Sequence, residues 1–550
     1  MKFVFSVVLL LGLGNVMLNA QVTTRPRPAE WTNLVKGARF IDRFLPMREG
    51  KLSKDVWGGN NVLPRYIDNG IEDEERSYWG GKIIKGPDQK YHLYVCGWPE
   101  KSPKGHHTWP ESIVYHAICD NSVGPYVIRD TIGPGHNPEV FQAKNGKYVI
   151  YVIDGYYLSD SVNGPWTYKT FDFDARDRKI IEGLTNLTFA KREDGSTLMV
   201  CRGGGVWISE TGLSTYNQIT DKRVYPDVEG EFEDPVVWRD HVQYHLIVND
   251  WLGRIAFYQR SKDGVHWVTD PGEAYLPGII SVHKDGLCEN WFKYERLKVL
   301  QDEYGRAVQA NFAVIDTLKN EDLPNDRHSS KNLTIPLNPG MLLTMLNEKP
   351  ITAETKEVRV LIQAEKDFKP SRDLDLKSLR FGSSEEVNYG KGSKVVGTLQ
   401  KGNDMIVIFD AKACHIKGDE FAPKIIGQTK TGDMVFGYMR LPWVDYTPPI
   451  LSARKPIVRS SASLEVLVDN YGLKTSGKSK LELYLVEGDK QRLIAHADIP
   501  AVKSYEQVKL ALNTSEQLQE GKNYHFMLRI KMEKEPDTEF TYSDTCKYIR

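Results

Sequence analysis

Five short stretches of this chain follow one plan and return at nearly even intervals. They are QKYHLYVCGW (89–98), GKYVIYVIDG (146–155), GSTLMVCRGG (195–204), VQYHLIVNDW (242–251) and GRAVQANFAV (305–314). Each is a turn followed by a short apolar strand with an aromatic, branched or small entry residue. The matching positions 91, 148, 197, 244 and 307 lie 57, 49, 47 and 63 residues apart. A second motif trails the first four: AICDNSVGPY, YLSDSVNGPW, WISETGLSTY and YQRSKDGVHW, closing on aromatics at 126, 166, 216 and 267. A unit of this length is one small sheet, which cannot bury both of its faces alone. A ring of such sheets can. The spacing predicts a five-bladed β-propeller over about residues 60–330.

Behind the repeat the pattern changes. VRVLIQ, KVVGTL, DMIVIFD and MVFGYMRL are strands with ordinary turns, and a proline-rich link, YTPPILSARKP, follows at 446–456. SLEVLVDNY, KLELYLVE, QVKLALN and HFMLRIKM then alternate as half-buried antiparallel strands do. The expected fold is all-β: a propeller domain at 21–350 and two β-sandwich, Ig-like domains at 351–455 and 456–550. The first twenty residues read as a cleaved secretory signal, with Lys2, the apolar core FVFSVVLLLGLG and a small residue before Gln21. The expectation is an exported protein, periplasmic or extracellular, with no membrane span. With 72 basic against 73 acidic residues there is no general pull toward nucleic acid. The six cysteines show no metal-finger spacing and read mostly as buried free thiols. No cofactor or metal site is implied, although a structural calcium remains compatible with the sequence.

The turn SDSVNGPW and strands of the form GKYVIYV resemble the five-bladed propeller glycoside hydrolases, the clan of family 43 and the family 117 anhydrogalactosidases. That resemblance implies three carboxylates on the innermost strands of three blades: a base Asp on the first, a tuning Asp on the third and an acid Glu on the fourth. Glu233-Asp234-Pro235 has Glu and Pro at the family spacing for the acid. HNPEV matches the second blade loosely, with Glu139 after Pro138. GLTNLTF puts Asn186 where the tuning Asp stands in the family. RSYWGGKII puts an aromatic, with Trp79, where the base Asp would open the strand. The nearest acids to it are Asp68 and Glu72 to Glu75.

The residues themselves point the same way. Strands do not bury unpaired charge cheaply. At a wet funnel, however, a carboxyl at a strand mouth stays accessible while feeling a low dielectric, the condition for a general acid. Glycoside cleavage needs two such groups. Glu233 is the first candidate for the acid. Asp73, Glu139 and His107 are the other catalytic candidates, and His136 shares the last role. Asn137 beside His136 offers donor and acceptor to sugar hydroxyls. Trp79, His136, Arg202, Asp234, Asp250, Trp251, Arg254, Trp291, Glu295 and Arg296 complete the expected substrate-binding set. Arginines there suit a uronate or sulfate group. The expected function is an exo-acting glycosidase on a polysaccharide-derived oligosaccharide. A non-catalytic glycan-binding propeller and a lyase of uronate-containing glycans are the alternatives.

Overall fold

The computed structural model describes residues 25–549 apart from 55–57, 214, 325 and 534. The expected signal segment, 1–20, lies outside the described residues. The protein is all-β. Its strands fall into sheets that are antiparallel but for the pairing of Phe173–Asp174 with Tyr216–Gln218, and the helical segments are short, such as Gly105–Glu111 and Ser384–Asn388.

Five consecutive sheets occupy residues 76–336. Their first strands are Arg76–Lys85, Glu139–Gln142, Thr188–Lys191, Phe232–Arg239 and Lys293–Gln301. Their second strands begin at Tyr91, Tyr148, Thr197, Tyr244 and Ala307, the five positions at which the repeat recurs. Four of the sheets continue to a fourth strand. The fifth has three, and its outer strand, Ser330–Pro336, is extended by bridges from the amino-terminal segment, Ile71 to Asn332 and Phe44 to Leu337. The first strands pack on one another in order, and that of the fifth sheet packs on that of the first. Apolar side chains fill the spaces between neighbouring sheets. Tyr94, Val114, Val140 and Ile150 lie between the first and second, and Val236, Ile247, Val299 and Phe312 between the fourth and fifth.

Two further pairs of sheets follow, each pair sharing one apolar core. In the first, Val358, Val360, Val407 and Phe409 face Phe381, Ile425 and Val435. In the second, Leu464, Val466 and Val468 face Leu481, Leu483, Phe526 and Leu528. Both boundaries fall earlier than the sequence patterns suggest. Leu343–Met345 already pairs with Val360–Ile362, and Leu451–Ala453, inside the proline-rich link, pairs with Val468–Asn470. Short strands flanked by prolines carry too little alternation to be seen as strands. Arginine clamps hold these units to the ring of sheets. Arg176 is fully buried and donates to Ser452, Tyr471 and Asp469, while Arg43 lies between the rings of Phe40 and Phe436. All six cysteines are free thiols, and four of them are buried. Among the described residues no helix is long and apolar enough to cross a membrane.

Candidate functional site

Each of the five first strands carries, just before its start or within its first half, one matching residue with left-handed backbone. These are Gly80, Asn137, Asn186, Asp234 and Arg296, with φ between 50° and 56°. At Gly80, Asp234 and Arg296 the ladder to the second strand shifts register, the mark of a bulge. Four of the five are not glycine. Asn and Asp tolerate this conformation best, whereas an arginine in it costs about 1–2 kcal/mol. Such strain gathers where a side chain must be aimed.

The five residues line one cavity, and Asn137, Asn186, Asp234 and Arg296 are bonded to one another. Asn137 Nδ2 donates to Asn186 Oδ1 at 3.1 Å, and Asn186 Nδ2 donates to Glu233 Oε1 at 3.1 Å and Asp234 Oδ1 at 3.4 Å. The Arg296 guanidinium pairs with Asp234, and its backbone N–H donates to Asp234 Oδ2 at 3.2 Å. Gly80 closes the circle because a Cβ there would sit 3.2 Å from Asn137 Oδ1. The cavity is only about 10 Å³, room for one water at most. Any larger ligand must rest above this ring.

Two residues further along the same strands lie Lys82, Glu139, Thr188, Val236 and Lys298. Glu139 has no exposed surface. Lys82 Nζ is 3.1 Å from it, Lys298 pairs with its other oxygen, and Thr188 Oγ1 and the Phe189 N–H donate to it at 3.3 Å. Burial alone would raise the Glu139 carboxyl. The two ammoniums outweigh it and hold the group below the usual carboxylate range. Glu139 is thus sealed beneath the ring, where no substrate reaches it, and the structure does not present it as a proton donor.

One residue before the ring lie Trp79, His136, Thr185, Glu233 and Glu295, the tier that meets the mouth. Glu233 has 17% of its side chain exposed, against 1% for Asp234 and 3% for Glu295. Arg202 and Arg296 stand 3.7 and 3.6 Å from Glu233. Lys319 and Lys293 grip Glu295 at 2.5 and 3.3 Å, and against the cost of burial they hold its carboxyl down at about 2. At Asp234 burial prevails over the pull of Arg296, Glu233 adds to it, and the carboxyl is pushed up to about 7. Trp79 is buried edge-on to His106, with Lys319 over its face. His136 shares a hydrogen bond with Ser112 Oγ at 2.9 Å and lies beside Trp109. Burial drives both His136 and His106 well below the ordinary histidine value.

Several expected residues stand elsewhere. Asp73 accepts the Glu75 and Arg76 N–H groups and the Tyr78 hydroxyl, so it caps the entry to the first strand rather than facing Glu233. Trp291 is wholly buried under Arg65. Asp250 is buried and braces a turn by accepting Gly253 N–H, Glu231 N–H and Arg25. His107 is exposed beyond the buried tier. Trp251 and Arg254 lie on the turn that Asp250 braces. Sequence reasoning missed Lys82, Lys298 and Lys319. For Lys82 and Lys298, a lysine set among apolar residues, as in GGKII and RLKVL, is the available signal. Lys319 comes from an irregular loop with none. Among the described residues no group of three or more His, Cys, Asp or Glu side chains is placed to hold a metal.

No protein-family model matches the chain, and no curated protein matches it. Among solved structures it is similar to a protein of unknown function from Dyadobacter fermentans, at 11% identity and a TM-score of 0.32, over 54% of this chain and 94% of that one. A β-glucosidase involved in saponin metabolism from intestinal bacteria aligns at 14% identity and a TM-score of 0.13, over 23% of this chain and 19% of that one. A puromycin hydrolase aligns at 11% identity and a TM-score of 0.21, over 43% and 33%. These likenesses are too slight to bear on activity.

Proposed function

We propose that the protein is an exported glycoside hydrolase built as a five-bladed β-propeller with two β-sandwich domains behind it, and that it acts on an oligosaccharide at the mouth of the ring. The circular packing of the five first strands and the five matching left-handed residues support the propeller. The observation that carries the reaction is the Glu233–Asp234 pair. Glu233 is the one carboxylate of the upper two tiers with appreciable exposure, and it shares Asn186 Nδ2 with a buried carboxyl at about 7. Glu233 gives a proton to the glycosidic oxygen as the carbon–oxygen bond breaks. Water then adds to the anomeric carbon and returns a proton to the pair. Asp234 keeps a proton within the same hydrogen-bonded unit near neutral pH.

A second reading, a glycan-binding propeller without turnover, is favoured by one feature. Glu139 and Glu295 are both closed off by lysines, so no second exposed carboxylate faces Glu233 from those tiers. Incubating the protein with neutral and acidic oligosaccharides and separating the products by chromatography decides between them. New reducing ends support hydrolysis, binding without products supports the second reading, and an unsaturated product points to elimination.

The pH dependence is a separate check. Because the Asp234 carboxyl is raised, it is protonated below about 7 and loses its proton above. The rate is expected to fall as pH rises through that value. In Asp234→Asn this limb should vanish. An unchanged limb would remove Asp234 from the proton inventory.

A further inference from the structure

Three arginines border the mouth, and the structure separates them. Arg296 is paired with Asp234, and Arg202 lies 3.7 and 3.9 Å from Glu233 and Glu182. Arg254 has no carboxylate partner among the described residues. One of its terminal nitrogens donates to the Phe292 carbonyl at 2.9 Å, and its Nε is buried with no acceptor. Burial lowers its pKa, and its guanidinium stacks over the Phe292 ring at 4.7 Å. A half-buried guanidinium without a counter-charge is costly to keep in a protein that gains nothing from it.

The surroundings are built rather than incidental. Arg254 has left-handed backbone, φ 50°, at the end of the turn that Asp250 braces from within. The turn is fixed to the strand before the ring, because Trp251 N–H donates to the Glu231 carbonyl. With Arg254, a small cavity is lined by Asn249, Trp251, Tyr275, Lys293 and Glu295. Lys293 lies over the Trp251 ring at 5.0 Å. Glu295 is shared by Lys293 and Lys319, so one carboxylate faces two ammoniums and Arg254 is a further positive charge. Among the residues lining the cavity, Arg254 and Lys293 against Glu295 leave one positive charge in excess. The enclosed volume, about 10 Å³, has room for one water at most, so an anionic group rests at its opening and not inside it.

We infer that the opening of this cavity is a subsite for an anionic substituent, carboxylate or sulfate, of a saccharide whose ring lies against Trp251. The anion accepts from the free edge of Arg254 and from Lys293. Asn249 supplies an amide to a neighbouring hydroxyl. This rests on the reading of the ring mouth as a glycan site and names the class of glycan it takes.

Binding by calorimetry tests it without requiring turnover. The probes are a glucuronic acid-terminated disaccharide and its carboxyl-reduced counterpart, and a galactose 6-sulfate disaccharide and its unsulfated counterpart. The wild-type protein is expected to favour at least one anionic member over its neutral counterpart about ten- to a hundredfold, the scale of one charge-assisted contact. Which arm shows the preference distinguishes carboxylate from sulfate. Arg254→Met should abolish the ratio. Arg254→Lys should keep part of it, because charge persists while the planar fork is lost. Raised salt should shrink it. A ratio near one in the wild-type protein, a ratio that survives Arg254→Met, or no binding of either anionic member overturns the subsite. Charge-selective binding without products from any glycan would leave the subsite standing and remove the hydrolase reading. Turnover of a neutral glycan with no charge preference would do the reverse.

Discussion

Replacing Glu233 by glutamine is expected to slow turnover of the natural glycan by about 10²–10⁴, the usual worth of general acid–base catalysis. The change keeps the size of the side chain, and a glutamine oxygen can still accept from Asn186 Nδ2, which now donates to Glu233 Oε1 at 3.1 Å. What it removes is the transferable proton. The loss should therefore shrink for a nitrophenyl glycoside, whose leaving group departs with little protonation. Circular dichroism and the melting profile should stay close to wild type, since Arg296 keeps its partner Asp234. A folded Glu233→Gln protein that turns over its natural glycan at the wild-type rate would take Glu233 out of the mechanism. It would also leave no carboxylate of the mouth tier with comparable access, and so favour the binding reading.

How much of this was legible in the sequence depends on which force set each feature. The strand starts at Tyr91, Tyr148, Thr197, Tyr244 and Ala307 coincide with the repeat, because alternation and turn residues are local signals. The alternation of Ser463–Asn470 between half-buried and buried is legible for the same reason. The Glu233–Asp234 threshold stands out in the sequence as charge crowded before an apolar strand. Which carboxyl would be raised was not. That depends first on how deeply Asp234 is buried, against the opposing pull of Arg296, sixty-two residues away. Nor did the chain announce the left-handed ring. Gly80, Asn137, Asn186, Asp234 and Arg296 share a backbone conformation and no residue type, so no motif links them. Trp291 and Asp250 show the opposite failure. An aromatic and an acid beside basic residues look like a sugar site, yet one is core and the other braces a turn.

Glu139 supplies the largest expected effect on stability. It stands under the ring with no exposed area, between Lys82 from the first sheet and Lys298 from the fifth. Thr188 and Phe189 of the third sheet also donate to it, so one carboxylate from the second sheet ties three others together. Glu139→Gln leaves two ammoniums in low dielectric with no counter-charge. Breaking a buried pair in this way costs about 3–5 kcal/mol. Lys298→Met should cost less, because Lys82 remains to balance the carboxylate. The double variant Glu139→Gln/Lys298→Met should be more stable than Glu139→Gln alone, because it removes one of the stranded charges. Hydrogen exchange of the inner strands at Glu139–Gln142 and Thr188–Lys191 reads the effect where it arises. The sign with pH is fixed as well. The folded Glu139 carboxyl lies below its ordinary 4.5, so its contribution is complete above that value. It is lost as pH falls through the lower folded value. Wild-type protein should lose exchange protection in these strands on acidification, and Glu139→Gln should lack that part of the slope. If Glu139→Gln keeps full protection at neutral pH, or if adding Lys298→Met makes it worse, the buried carboxylate is not what holds the inner strands together.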